Sequence, residues 1–392
     1  MFKQTSAITA VNIKSIPERW GSSLVIVVGL AGVVAVFTAL LAMAEGFQST
    51  LKAAGREDVA MVLRGGSSDS ELNSALGRDA ADLIRQGPGI AKDEEGKPLV
   101  SAELLVISEL PRPGQKTGSN VTLRGLEPNG LKLRPQVKIV EGRAFQSGLR
   151  EVLVGRGVTR QFQGANLGDV IRMRGSDWTV VGVFESGDAN ESELWVDAGT
   201  AQSTFGRQGY STVRAKLESK EALATLKDAL TADPRLQVDV LREVDYYSAE
   251  SKQFRQMIGV LAGVVTIIMA LGAIFAALNT MYAAVAARAR EIATLRAIGF
   301  GGLPVVLSVM IEAMILSLVG GVIGAIVAYV LFNGMSVATL GQNFTQVVFQ
   351  FRVTGPLVVT GLLISLVVGF FGGLLPAWRA ARMPVTTALR AA

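Results

Sequence analysis

The sequence predicts a helical membrane protein that carries a large α+β domain outside the membrane. Three observations predict it. Four apolar runs each reach the ~20 residues that cross a bilayer. The stretch between the first two runs, residues 45–257, is polar and long enough for one large or two modest folded domains. The basic surplus lies almost wholly outside that stretch. The chain has 392 residues, 49% hydrophobic and 18% charged.

The expected order is an interfacial N-terminal segment (1–23), a first span (24–44), the extracytoplasmic domain (45–257) and a second span (258–287). A short coupling segment (288–302), a third span (303–331), an outer loop (332–355), a fourth span (356–378) and a tail (379–392) follow. The first run ends in Ala42-Met43-Ala44, a small-x-small pattern resembling a signal-peptidase site. It is longer than a signal-peptide core and follows a long leader, so a retained span is expected.

Charge sets the orientation. Glu45 to Gln256 holds 28 Lys+Arg and 30 Asp+Glu, whereas the rest of the chain holds 10 basic and 3 acidic residues. Lys3, Lys14 and Arg19 precede the first span; Arg288, Arg290 and Arg296 separate the second from the third. Arg379, Arg382 and Arg390 follow the fourth, and the third-to-fourth connection has only Arg352. Cytoplasmic segments carry the Lys/Arg excess, so both termini and segment 288–302 are expected in the cytoplasm. The large domain then faces outward, and with the resemblance given below the expected location is a bacterial inner membrane, the domain periplasmic or extracellular. No basic stripe remains for nucleic acid.

Several chemistries are excluded. Without cysteine or histidine there is no disulfide, Cys/His metal site, thiol nucleophile or Ser-His-Asp triad. The acidic groups Lys92-Asp93-Glu94-Glu95 and Asp188, Glu191, Glu193 lack the spaced oxygens of a calcium loop and read as solvated loops. "VGRGVTRQFQG" lacks the Gly-Lys-Ser/Thr of a phosphate loop. No catalytic, cofactor or metal residue is read in this chain.

Within the large domain, Val59–Leu63 reads as a strand. Ala80, Leu83 and Ile84 mark a helix that stops at Gly87-Pro88-Gly89, and a strand follows. "STVRAKLE", "SKEALATLKDALTADP" and "LQVDVLRE" repeat the strand–helix–strand pattern, with Ser219 as a plausible helix cap. Two such units predict a ferredoxin-like subdomain, split by a β-rich insert over residues 121–205, which the resemblance given below likens to a porter subdomain. A helix without proline runs from Asp245 to about Ile298, a rod of roughly 75 Å at ~1.5 Å per residue.

In "REIATLRAIGF", Ile292, Leu295 and Ile298 share a helical face, and Arg288 and Glu291 are i,i+3 partners. The residues fit both a surface helix on lipid phosphates and a docking helix for a cytosolic partner. Gly259/Gly263, Gly320/Gly324 and Gly369/Gly373 are GxxxG pairs for close helix packing, within the chain or against a second copy. Asn279 and Glu312 are polar residues inside spans; Glu312 reads as a structural ion pair with Arg296 or Arg379.

"AARAREIATLRAIGF" and "GLLPAWRAARMPVTTALRAA" together resemble the permease domain of the ABC transporters of the MacB, LolC and FtsX-like family. The matching positions run from Arg288 to Gly299 and from Pro376 to Arg390. The resemblance implies a permease subunit, a second permease copy (a homodimer) and a separate cytosolic ATPase that binds ATP and Mg. A membrane-fusion adaptor and membrane lipid are further implied partners. Arg290, Glu291, Ile292, Leu295, Arg296 and Gly299 are then the ATPase-coupling residues. Export or envelope transport is the implied function; the alternatives are a regulator of an envelope protein and a lipoprotein-releasing permease.

Overall fold

The computed structural model describes residues 20–67, 70–114, 118–340 and 346–384, together with Thr5 and Thr9. The interfacial segment with Lys3, Lys14 and Arg19, the loop tip at Gly341 and the tail beyond Pro384 with Arg390 lie outside them. The chain divides into two units: residues 1–45, 255–335 and 351–392, and residues 46–254 with 336–350.

The first unit is a helical bundle. Its helices, numbered in chain order, are α1 (Trp20–Ala54), α6 (Glu243–Ala287), α7 (Ala289–Ala297), α8 (Gly302–Phe332) and α9 (Gly355–Arg382). All but α7 are long and apolar enough to cross a membrane. The long helix anticipated from Asp245 ends at Ala287 and does not continue to Ile298. Arg288 leaves helical geometry at φ −101° and ψ 11°, and α7 starts afresh. The 45 residues of α6 rise about 68 Å at ~1.5 Å each.

Small residues let these helices approach. A Cβ on Gly324 would come 2.4 Å from the Ala31 carbonyl oxygen of α1, and one on Gly320 2.8 Å from that of Val27. Gly369 and Gly373 of α9 face Ser317 and Ala313 of α8 in the same way. In lipid, apolar area gives little drive for association, so such backbone contacts carry the packing. The large side chains on the other faces, such as Val260 and Phe275 of α6, stay exposed.

The second unit is built on a mixed sheet. Strand β1 (Val59–Arg64), helix α2 (Arg78–Arg85) and strand β2 (Val100–Pro111) form one βαβ unit. Strand β9 (Thr212–Lys216), helix α5 (Ala222–Ala232) and strand β10 (Val238–Arg242) form the other. The order β10-β1-β9-β2, antiparallel throughout, is the expected ferredoxin-like arrangement. Helix α5 begins at Ala222, and Ser219 contributes its backbone carbonyl there, not the expected side-chain cap.

The insert continues the same sheet. It adds β3 (Gly118–Leu126), β4 (Lys138–Gly142), β5 (Glu151–Gly155), β6 (Val170–Met173), β7 (Ser176–Glu185) and β8 (Glu193–Asp197). Helices α3 (Arg156–Gln161) and α4 (Ala198–Phe205) connect some of them. Strand β2 serves both parts: Val100–Glu103 pair with β9, and Leu104–Pro111 with β3. Twelve residues at ~3.3 Å each span about 40 Å, enough for two partners in series. The expected boundary at Val121 therefore falls inside β3.

The expected loop 332–355 is a hairpin, β11 (Ser336–Leu340) with β12 (Gln346–Gln350), and it belongs to the second unit. The Val348 N–H donates to Ser192 Oγ at 2.8 Å, and Phe349 meets Phe47 edge-on with ring centroids 5.5 Å apart.

Candidate functional site

Helix α7 is short and made of good helix formers, Ala, Arg, Glu and Leu. Gly299, at φ +100°, ends it in the left-handed region. The Gly299 N–H donates to the Arg296 carbonyl and the Phe300 N–H to that of Leu295, each at 3.1 Å, satisfying two terminal acceptors. Phe300 and Leu295 then pack together against the bundle core.

The apolar stripe of α7 turns inward. Ile292 is buried with Ala293, Leu295 packs beside Val305 and Val309 of α8, and Ile298 is 69% exposed. The expected shared face is thus split, with Ile292 and Leu295 turned to the bundle core and Ile298 left out of it. Exposed residues are Arg290, Glu291, Thr294, Ala297, Ile298 and Gly299.

Charges fasten α7 at both ends. Arg288, just before it, donates to Glu312 of α8 at 3.2 Å, with both side chains buried. Glu312 therefore pairs with Arg288, not with Arg296 or Arg379, and Arg288 does not take Glu291. Arg296 donates from Nη1 to the Ala381 and Met383 carbonyls, 2.8 and 2.9 Å away. Those acceptors lie where α9 ends and carbonyls lack intrahelical donors, a site that favours a cation. Arg379 instead lies 5.5 Å from the Tyr282 ring centroid.

The remaining candidates scatter. Gly320, Gly324, Gly369 and Gly373 make contacts within the chain, whereas a Cβ on Gly259 or Gly263 would meet nothing within 4 Å. Asn279 is exposed on α6 and joins no other candidate residue.

A second charged cluster went unread in the sequence. In the α+β unit, Arg124 of β3 donates to Glu71, Glu103 and Glu193 at 2.8–3.1 Å. Arg214 of β9 reaches Glu71 at 3.1 Å and bonds Glu243, and Arg134 holds Glu103 at 2.8 Å. Burial alone would raise the Glu71 carboxyl, but Arg124 and Arg214 outweigh it and hold its pKa at about 2. Glu103 is lowered against its burial by Arg134, Arg214 and Arg124. Arg124 and Arg214 sit in phase on strands whose other face is apolar, a pattern that normally marks a wet face. Here the first turns of α6 cover it, and Tyr246 OH accepts from the Glu71 N–H at 3.1 Å.

The Asp93 turn is exposed and closed by its own hydrogen bonds, as expected of a solvated tip. The other acidic group is not solvated. Asp188 is 3% exposed and caps a 3-10 turn at Asn190, and burial raises its pKa. Glu193 belongs to the Arg124 cluster. Among the described residues no group of three or more His, Cys, Asp or Glu is placed to hold a metal ion.

The geometry agrees with the comparisons. The model of the MacB-like periplasmic core domain matches residues 22–233, and that of the FtsX-like permease C-terminal matches residues 263–385. The uncharacterized ABC transporter permease YknZ of Bacillus subtilis is 24% identical over 292 residues, 69% of this chain and 70% of the relative. The lipoprotein-releasing system transmembrane protein LolC of Xylella fastidiosa is 24% identical over 408 residues, covering 94% and 93%. The macrolide export ATP-binding/permease protein MacB of Bordetella avium is 22% identical over 353 residues, 81% of this chain but 52% of that protein, so the chain spans about half its length. A core-domain match over more than half the chain, followed by the permease match from within α6 through α9, means that the chain belongs to the MacB-like, FtsX-like family of ABC transporter permeases.

Proposed function

We propose that this chain is the membrane subunit of a transporter in which a separate cytosolic ATPase drives movement of the α+β domain, for export or envelope transport. One observation carries the reading. Helix α7 is fastened to α8 by Arg288–Glu312 and to α9 by Arg296, yet leaves Arg290, Glu291, Thr294, Ala297 and Ile298 outward. A lever must be tied to what it moves and open to what pushes it. The arginine asymmetry supports a cytoplasmic position for α7 and an inner-membrane location. A second copy completes the permease, and the open Gly259/Gly263 face of α6 is where it packs.

Of the outward residues, Ile298 as the apolar anchor, with Ala297 beside it, forms the ATPase contact. Native-membrane pull-down tests this at matched permease levels. Ile298→Asp should lose the ATPase while the permease stays inserted, and Ala297→Ser should retain it. ATPase capture undiminished by Ile298→Asp would sink the docking role.

A further inference from the structure

A cavity of about 530 Å³ lies between α7 and the ends of α6 and α8. That volume is within the ~300–1,000 Å³ of small-ligand pockets. Its walls are apolar, formed by Met281, Val285, Leu295, Phe300 and Val309. Thr294 also lines it, its hydroxyl donating to the Arg290 carbonyl, and the charged lining falls in two places. Arg288 and Glu312, paired and buried, belong to one; Arg290 and Glu291, both exposed at the start of α7, belong to the other. Neither the Arg290 guanidinium nor the Glu291 carboxylate has a partner among the described residues.

An apolar space of this size next to the bilayer takes an apolar occupant, since water there would find few hydrogen-bond partners. The exposed lining specifies the other end of that occupant. It offers a cation and an anion from successive positions of α7, both lining the same cavity, so it suits a headgroup bearing a phosphate and a primary ammonium. Arginine binds phosphate by charge-assisted hydrogen bonds. A carboxylate accepts from an ammonium N–H but gains no hydrogen bond from a quaternary amine. An anionic headgroup without an amine would face Glu291 as a like charge.

We propose that this cavity is a phospholipid site selective for phosphatidylethanolamine: Arg290 on the phosphate, Glu291 on the ammonium, and an acyl chain along Val285 and Val309. The bound lipid wedges behind α7 and sets how far the helix stands from α6 and α8. The site needs no ATPase, so its test uses the permease alone.

The purified full chain is delipidated and titrated with palmitoyl-oleoyl phosphatidylethanolamine, phosphatidylcholine or phosphatidylglycerol, and bound lipid is counted by native mass spectrometry. Phosphatidylethanolamine should bind roughly five- to tenfold more tightly than phosphatidylcholine, as one hydrogen bond at a solvent-exposed position implies. Glu291→Gln, at an exposed position, should bring the two lipids level. Arg290→Gln should weaken both, and Val309→Trp should abolish binding by filling the cavity. Equal binding of the two lipids by the native chain, a preference for phosphatidylglycerol, or selectivity that survives Glu291→Gln would each overturn the proposal.

Discussion

Arg288, at the turn between α6 and α7, forms a buried ion pair at 3.2 Å with Glu312 of α8. They lie 24 residues apart, and the pair ties the first residue after one long helix to the third turn of the next. Buried pairs are costly to break from one side, because the orphaned charge stays where it was.

Removal of either partner is therefore expected to destabilise more than removal of both. Arg288→Met and Glu312→Leu should each cost about 3–5 kcal/mol, and the double variant should recover most of the loss. Thermal unfolding in detergent gives the comparison. A double variant no more stable than the singles would contradict the orphaned charge as the source of the loss.

Topology can be read with single cysteines, since the chain has none. Ser219 and Thr294 are both exposed and lie in different units. In intact cells an impermeant thiol reagent should label Ser219→Cys and leave Thr294→Cys unlabelled. The reverse pattern would invert the orientation.

The Arg124 cluster predicts acid sensitivity of the α+β unit. Glu71 and Glu103 have folded pKa values below their ordinary 4.5, Glu71 at about 2. Depressed carboxyls bind fewer protons folded than unfolded, so their stabilisation is full above about pH 4.5 and fades as pH falls through about 2. Arg124→Met removes the guanidinium that holds them down. Its unfolding midpoint in an acid titration, followed by tryptophan fluorescence (Trp178 and Trp195 are fully buried), should move to higher pH. An unchanged midpoint would count against the cluster as a source of stability.

Glycine substitutions should separate contacts within the chain from an open face. Gly324→Val must displace α1, whose Ala31 carbonyl leaves no room, at a cost of about 1–3 kcal/mol. Gly263→Ala meets nothing and should leave the folded chain at least as stable, as helix propensity favours Ala by about 1 kcal/mol. Fluorescence-detected size exclusion, with heating, ranks them; equal melting of the two would contradict the packing described.

The sequence by itself determined the four spans, the charge asymmetry and the two βαβ units. These are local signals: twenty apolar residues, a run of arginines or an alternation of period two is written in neighbouring positions. It also marked 288–302 as a segment of its own and Glu312 as a paired acid, but it ran the helix of α6 on to Ile298. Which residues meet was a tertiary decision. The sequence offered Glu312 two arginines, Arg296 and Arg379, and only the break after Ala287 brings Arg288 to it instead. Ile292 and Ile298 carry the same hydrophobic signal, and only the packing of α7 on α8 buries one and exposes the other. Arg124 and Arg214 look like solvent-facing strand residues until the first turns of α6 close over them. Hairpin β11–β12 joins the α+β unit through Ser192, 156 residues away in sequence. Local periodicity records that a face is apolar or charged; what covers that face is set by chain segments far away, and no window along the sequence contains both.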